Sequence, residues 1–170
     1  NLYIGADLDG VVMALASPSK TDDLPALLGA SADLQATAWP VRVVAIGEEI
    51  ARHRPHVIGL QEVWTVDINL TGLGIPVDID LDYLTSLQAE LVSHGLNYIV
   101  AAEVTGVTAQ PFPVISVVDR DVILVAASSV TFDPTRVVAT TFAANVGPVA
   151  PGVLLRRGWV SIAATVDGVP

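Results

Sequence analysis

Arg54-Pro55-His56-Val57-Ile58-Gly59-Leu60-Gln61-Glu62-Val63 is an apolar run that opens just after a proline and delivers one carboxylate, Glu62, near its far end. A short unbroken apolar stretch bounded by turn signals reads as a strand covered on both faces. With the two-residue period of a strand, Ile58, Leu60 and Glu62 share one face, so two side chains enter the core and the third reaches the rim. A carboxylate placed there can hold a hard divalent cation with little solvent around it. From position alone, a solvated acid at a strand end is the plainer reading.

Helical signals lie upstream of this run and mostly strand signals downstream. A helix is expected from about Thr21 to Thr37, capped by Thr21, with Asp22 and Asp23 in the first turn where acids complement the helix dipole. A second is expected from Trp39 to His53, with Pro40 in its first turn and Trp39, Val43, Ile46 and Ile50 at helical spacing; Pro55 ends it. After a loop containing Gly72, Gly74 and Pro76, a third helix starts near Asp80, carries Leu84, Leu87 and Leu91 on one stripe, and closes at Gly95. The pattern then predicts strands over 97–104, 114–118, 122–126, 137–142 and 157–166. Asp167-Gly168 is a two-residue hairpin signal with only Val169 and Pro170 after it, and nothing precedes Asn1. These ends suggest a piece of a longer protein.

At 170 residues and 52% hydrophobic content the chain can bury one substantial core without calling for two domains. Eighteen acids against 8 bases give a net charge of −10, with a pI near 4.4, which argues against a nonspecific grip on nucleic acid. Mean hydropathy is +0.59, yet the longest charge-free stretch, Val137 to Leu155, is broken by Asn145, Gly147, Pro148, Pro151 and Gly152, so no membrane span is expected. The absence of cysteine excludes disulfides and thiolate metal sites. The compartment stays open, with a secreted or periplasmic location favoured over a cytoplasmic one.

Several motifs fail on inspection. Asp78, Asp80 and Asp82 imitate a calcium loop, but Tyr83 stands in the turn glycine's place and Ala89 in the closing glutamate's, so they read better as helix-capping acids. Gly72-Leu73-Gly74 lacks the third glycine of a dinucleotide fingerprint. His53, His56 and His94 do not form a zinc pattern, and no Gly-x-Ser-x-Gly elbow supports serine acyl chemistry.

The opening run resembles the Pro-Asp-(Val/Ile)-(Val/Ile)-Gly-Leu-Gln-Glu-Val signature of the endonuclease/exonuclease/phosphatase superfamily, the deoxyribonuclease-I-like metal-dependent phosphoesterases, with His56 where that family usually has Asp. Asn1-Leu2-Tyr3-Ile4-Gly5-Ala6-Asp7-Leu8 is similar to the opening of bacterial members, and Asp119-Arg120-Asp121-Val122-Ile123-Leu124 and Arg156-Arg157-Gly158-Trp159-Val160 fit the same group. The resemblance implies an α/β fold, roughly half of a four-layer α/β sandwich of two packed mixed sheets with outer helices, lacking the first strand and the C-terminal half. It implies Glu62 as the principal Mg2+ ligand, with Mn2+ or Ca2+ as substitutes, and Asn1 beside it. Arg157 would approach the substrate phosphate, and Glu103 would stand near the carboxylate that orients a catalytic histidine; a solvated strand-end acid and an exposed strand arginine are the plainer readings of those two. The family's later Asn-Thr-His, Gly-Asp-x-Asn and Asp-His segments do not occur here. The expectation is therefore a Mg2+-dependent phosphoesterase acting on a small or lipid-derived phosphoester rather than nucleic acid, with this stretch inactive alone. The alternative is a noncatalytic binding or scaffold domain that keeps the fold.

Overall fold

In the computed structural model, which describes residues 1–169, Asp7 accepts a hydrogen bond from the Gly10 amide at 3.0 Å and so caps a first helix, α1 (Leu8–Ala16). No helix is expected there from the sequence pattern. Lys20 then folds back and donates its ammonium protons to the Leu15 and Ser17 carbonyls, each at 3.0 Å, which suits a positive charge at a helix C-terminus. The second helix, α2 (Asp23–Ala36), is shifted one residue from the expected start; Asp22, not Thr21, holds the cap position. The third, α3 (Trp39–His53), has the expected bounds, with Pro40 in the first turn and Arg54 left-handed just before Pro55.

The run that follows departs from the expected covered strand. The ladder holds only β1 (Val57–Leu60), in which Val57 and Gly59 are exposed and only Leu60 is fully buried. The chain continues into β2 (Thr65–Asn69) and β3 (Asp78–Asp82). In β3, Ile79 is buried between exposed Asp78 and Asp80, so two of the three acids expected to cap a helix instead line the outer face of an edge strand. The third does cap: Asp82 accepts from the Thr85 amide at 3.0 Å and starts α4 (Tyr83–Ser93), where Leu84, Leu87 and Leu91 are all buried.

Two 12-residue strands, β4 (Tyr98–Ala109) and β5 (Ile115–Ala126), form the central hairpin. Strand signals that read as two segments on either side of Asp119-Arg120-Asp121 are one continuous strand. Beyond it come β6 (Val130–Phe132), β7 (Val138–Thr141), β8 (Gly147–Ala150), β9 (Val153–Leu155), β10 (Gly158–Ser161) and β11 (Ala164–Val166). The main sheet runs β3-β2-β5-β4-β9-β8, with β1 on the same edge of β5 as β2, and two-stranded sheets are made by β10 with β7 and by β11 with β6. The expected strand over 157–166 is thus divided between two sheets.

The chain is mixed α/β, with four helices among the described residues. Every strand pairing there is antiparallel, in place of the mixed sheets the resemblance implies. The short links between β4 and β5 and between β8 and β9 permit only antiparallel neighbours, since a parallel pair needs a long crossover.

β5 carries different partners on its two faces. Val122 and Leu124 belong to the main core with Trp39, Tyr83, Leu87 and Leu91, and Trp39 stacks on Tyr83 with ring centroids 3.7 Å apart. Ile123 and Val125 pack with Val130, Ala164 and Val166 of the small β6–β11 sheet. At the far end, Asp167 (φ 48°) and Gly168 (φ 82°) form the expected tight turn, closed by Val166 and Val169 bonding to each other at 2.8 Å in both directions. Pro170 lies outside the described residues. No helix among them is long and apolar enough to cross a membrane.

Candidate functional site

Glu62 owes its position to a count of residues. Leu60 pairs with Val122 and Thr65 with Val118, so the four residues Gln61–Trp64 must span the three residues Asp119–Asp121. The surplus residue makes a β-bulge, and Glu62 takes it up in the left-handed region at φ 56°. A non-glycine residue held there costs about 1–3 kcal/mol and persists only where the surroundings over-determine it. Here the Val63 amide bonds the Arg120 carbonyl at 2.9 Å, and Val63 and Trp64 are buried on the far side of the kink. Glu62 therefore does not continue the alternation of Ile58 and Leu60, as a regular strand would require; the bulge turns it out of the ladder.

The N-terminal segment docks beside this bulge. Leu2 and Ile4 are buried, the Leu2 amide bonds the Gln61 carbonyl at 2.8 Å, and Arg42 of α3 donates to the Leu2 and Tyr3 carbonyls. Asn1 is thereby held against Glu62 across 61 residues of sequence: its amide nitrogen donates to Glu62 Oε1 at 2.8 Å, and the Ile4 amide reaches Oε2 at 3.3 Å. The Asn1 side-chain oxygen accepts from the Tyr3 amide at 2.7 Å, so the asparagine acts on the carboxylate through its nitrogen.

Two acids of the Asp119-Arg120-Asp121 segment, to which sequence reading gave no role, complete the surroundings. Asp119 is buried, and its carboxyl is pushed up to about 6 by burial first, then by the charges of Asp121 and Glu62, with Arg157 opposing. Asp121 is raised by burial first, with Arg157 opposing and the Glu62 charge adding to the rise. Gly106 makes room for Asp119, since a β-carbon there would stand 3.0 Å from its Oδ2. The available signal was a charged trio inside a twelve-residue strand whose other residues, Ser116 apart, are apolar, since side chains alternate into the interior whether charged or not.

Glu62, Asp119 and Arg157 line one cavity of about 450 Å³ between the main sheet and helices α1 and α2. Arg157 is held at its backbone: Asn145 accepts from its amide and donates to its carbonyl at 3.2 Å. Glu103 is placed elsewhere. It pairs with Val122 while Asp121 pairs with Val104, which sets the two acids on opposite faces, and it lies 4.0 Å from Arg120 in a group that includes Asp82 and Thr65. The fold thus brings Asn1, Glu62 and Arg157 to one region and leaves Glu103 outside the cavity.

Among the described residues no group of three or more Asp, Glu, His or Cys side chains converges closely enough to cage an ion. Ca2+, which takes six to eight oxygens, is poorly served by that donor set. Mg2+ keeps most of its waters and is commonly held by one or two carboxylates plus phosphate oxygens, and the two Glu62 oxygens, each holding one hydrogen bond, fit that demand. No protein family, curated protein or solved structure matches the chain.

Proposed function

We propose that this chain belongs to a Mg2+-dependent phosphoester hydrolase of the endonuclease/exonuclease/phosphatase kind and supplies about half of its two-sheet sandwich, including the primary cation position. The observation that carries the reading is the 2.8 Å hydrogen bond from Asn1 to Glu62, because it joins two separately recognised sequence motifs at one carboxylate. Glu62 would hold the cation, with Asn1 and the Ile4 amide fixing its orientation; such supporting hydrogen bonds tune a ligand's direction and basicity. When bound, Mg2+ would polarise a phosphoryl oxygen and stabilise the leaving oxygen. Arg157, whose planar guanidinium suits two-point contact with phosphate, would anchor the substrate across the cavity mouth. Glu103 stays a candidate for orienting a catalytic base supplied from outside this stretch.

The test is hydrolysis of bis-nitrophenyl phosphate with and without Mg2+, comparing this chain with the protein carrying its natural flanking sequence. The longer protein is expected to turn over and this chain not to, because the water-activating groups of that family are absent from it. Glu62→Ala should lower the longer protein's rate at least about 100-fold. Asn1→Ala should weaken Mg2+ binding about 10- to 100-fold, read by calorimetry. Unchanged turnover in Glu62→Ala would falsify the assignment. The competing reading, a binding or scaffold domain without catalysis, rests on His56 in place of the family's usual acid and would be supported if the longer protein bound neither Mg2+ nor Mn2+.

A further inference from the structure

Tyr3 is 60% exposed between buried Leu2 and Ile4, and its backbone sits in the left-handed region at φ 54°, where a bulky side chain is rarely found. The same segment supplies a glycine at its other left-handed position, Gly5 at φ 80°. The strained residue is pinned at both of its peptide groups: its amide donates to the Asn1 side-chain oxygen at 2.7 Å, and its carbonyl accepts from Arg42 at 3.1 Å. Strain over-determined in this way collects at ligand sites, and Tyr3 lines the cavity that Glu62 and Arg157 also line. Behind the ring stands a series of planar groups that leads out from the core. Tyr83 stacks on Trp39, the Arg42 guanidinium lies over the Trp39 ring at 5.5 Å and over the Tyr3 ring at 6.0 Å, and Tyr3 ends the series in solvent at the cavity rim.

We infer that Tyr3 is a specificity residue, whose open face stacks on a flat ring in the alcohol part of the substrate while the phosphate lies at Glu62 and Arg157. The ligand ring is then the next planar group in the series. Charge decides what kind of group stacks there. Arg42 over one face of the Tyr3 ring already draws on the ring's negative face, so a second cation on the other face is disfavoured, whereas an offset neutral ring is attracted. The substrate class is therefore an aryl or heteroaryl phosphoester, in preference to an alkyl ester or one bearing a quaternary ammonium. The phosphate part of this inference rests on the hydrolase reading above; the ring part rests on Tyr3 itself.

The test titrates the longer protein, with Mg2+ present, against phenylphosphonate, methylphosphonate and trimethylammonioethylphosphonate, none of which carries an ester to hydrolyse. Binding is followed by the Tyr3 ring resonances, identified as those lost in Tyr3→Leu, and by calorimetry in the variants. Phenylphosphonate should bind roughly three- to tenfold tighter than the other two, the range expected for one aromatic pair. Tyr3→Phe should keep that preference, and Tyr3→Leu and Tyr3→Gly should lose it. Tyr3→Gly also relaxes the left-handed backbone, so its urea midpoint should be no lower than the parent's. Equal affinity for the phenyl and methyl compounds, or a preference that survives in Tyr3→Leu, overturns the inference. A lowered midpoint in Tyr3→Gly also counts against it, since the ring would then be holding the fold. Tightest binding of the ammonium compound overturns the substrate class. A phenyl preference in a protein that never hydrolyses bis-nitrophenyl phosphate sinks the hydrolase reading and leaves the ring subsite standing, whereas hydrolysis without that preference does the reverse.

Discussion

The residue that most constrains this site energetically is Asp119, because a carboxyl buried beside two other acids resists ionisation. Its folded value of about 6 lies above the 3.8 of a free side chain, so the folded protein holds that proton more tightly than the unfolded chain does. Stability from this group is complete below pH 3.8, declines as pH rises through about 6, and is flat above. Asp119→Asn removes the ionisation. The variant should match the parent in acid and exceed it above pH 6 by up to roughly 3 kcal/mol, measured by urea unfolding across that range. A stability difference that does not vary with pH would show that Asp119 is not buried as described. Sequence reading singles out Glu62 but does not reveal its backbone. The left-handed turn follows from the number of residues set against Asp119–Asp121, and a single segment cannot reveal what it will pair with.

Among the elements, α3 was readable because local signals and tertiary demand agree: Pro40 near the start, a stripe with buried Trp39 and Val43, and Pro55 after the end. β8 and β9 were not readable, because Gly147, Pro148, Pro151 and Gly152 are turn formers and only the pairing of β9 with the end of β4, and of β8 with β9, makes strands there. α1 was missed for a related reason. It spans nine residues, too short to be stable by propensity, and rests on its Asp7 cap and on packing against α2. The element that positions the site from a distance is α3, through Arg42. Arg42→Ala should free the segment carrying Asn1, at a cost of about 1–3 kcal/mol for hydrogen bonds from a charged donor. Faster amide hydrogen exchange at Leu2 and Ile4 than in the parent would report the release, and unchanged protection there would show that Arg42 does not hold the segment.

At the scale of the whole molecule, a net charge of −10 on 170 residues sets up self-repulsion that disfavours the compact state. Raising NaCl from about 0.01 M to about 0.15 M shortens the screening length from about 30 Å to about 8 Å, so the urea midpoint should rise over that interval. A midpoint that falls would mean that attractive pairs such as Arg120 with Asp82 outweigh the repulsion. The α/β class follows from pattern, whereas the antiparallel central hairpin does not, because β5 reads as two separate strands until its pairing with β4 is known. Nor does the way α1 and α2 lie over one stretch of the sheet while β6 and β11 cover another, since it depends on which apolar faces meet. The single surplus residue between Leu60 and Thr65 has a consequence for how such a chain can change over time. Loss of the Glu62 codon would leave three residues opposite three, keep Val63 across from Arg120, let β1 and β2 fuse into one regular strand, and keep every downstream register. Such a deletion would relieve the strained backbone and remove the carboxylate from the cavity in one step, so a descendant of this domain without that acid lies one in-frame deletion away and should fold at least as readily as its parent.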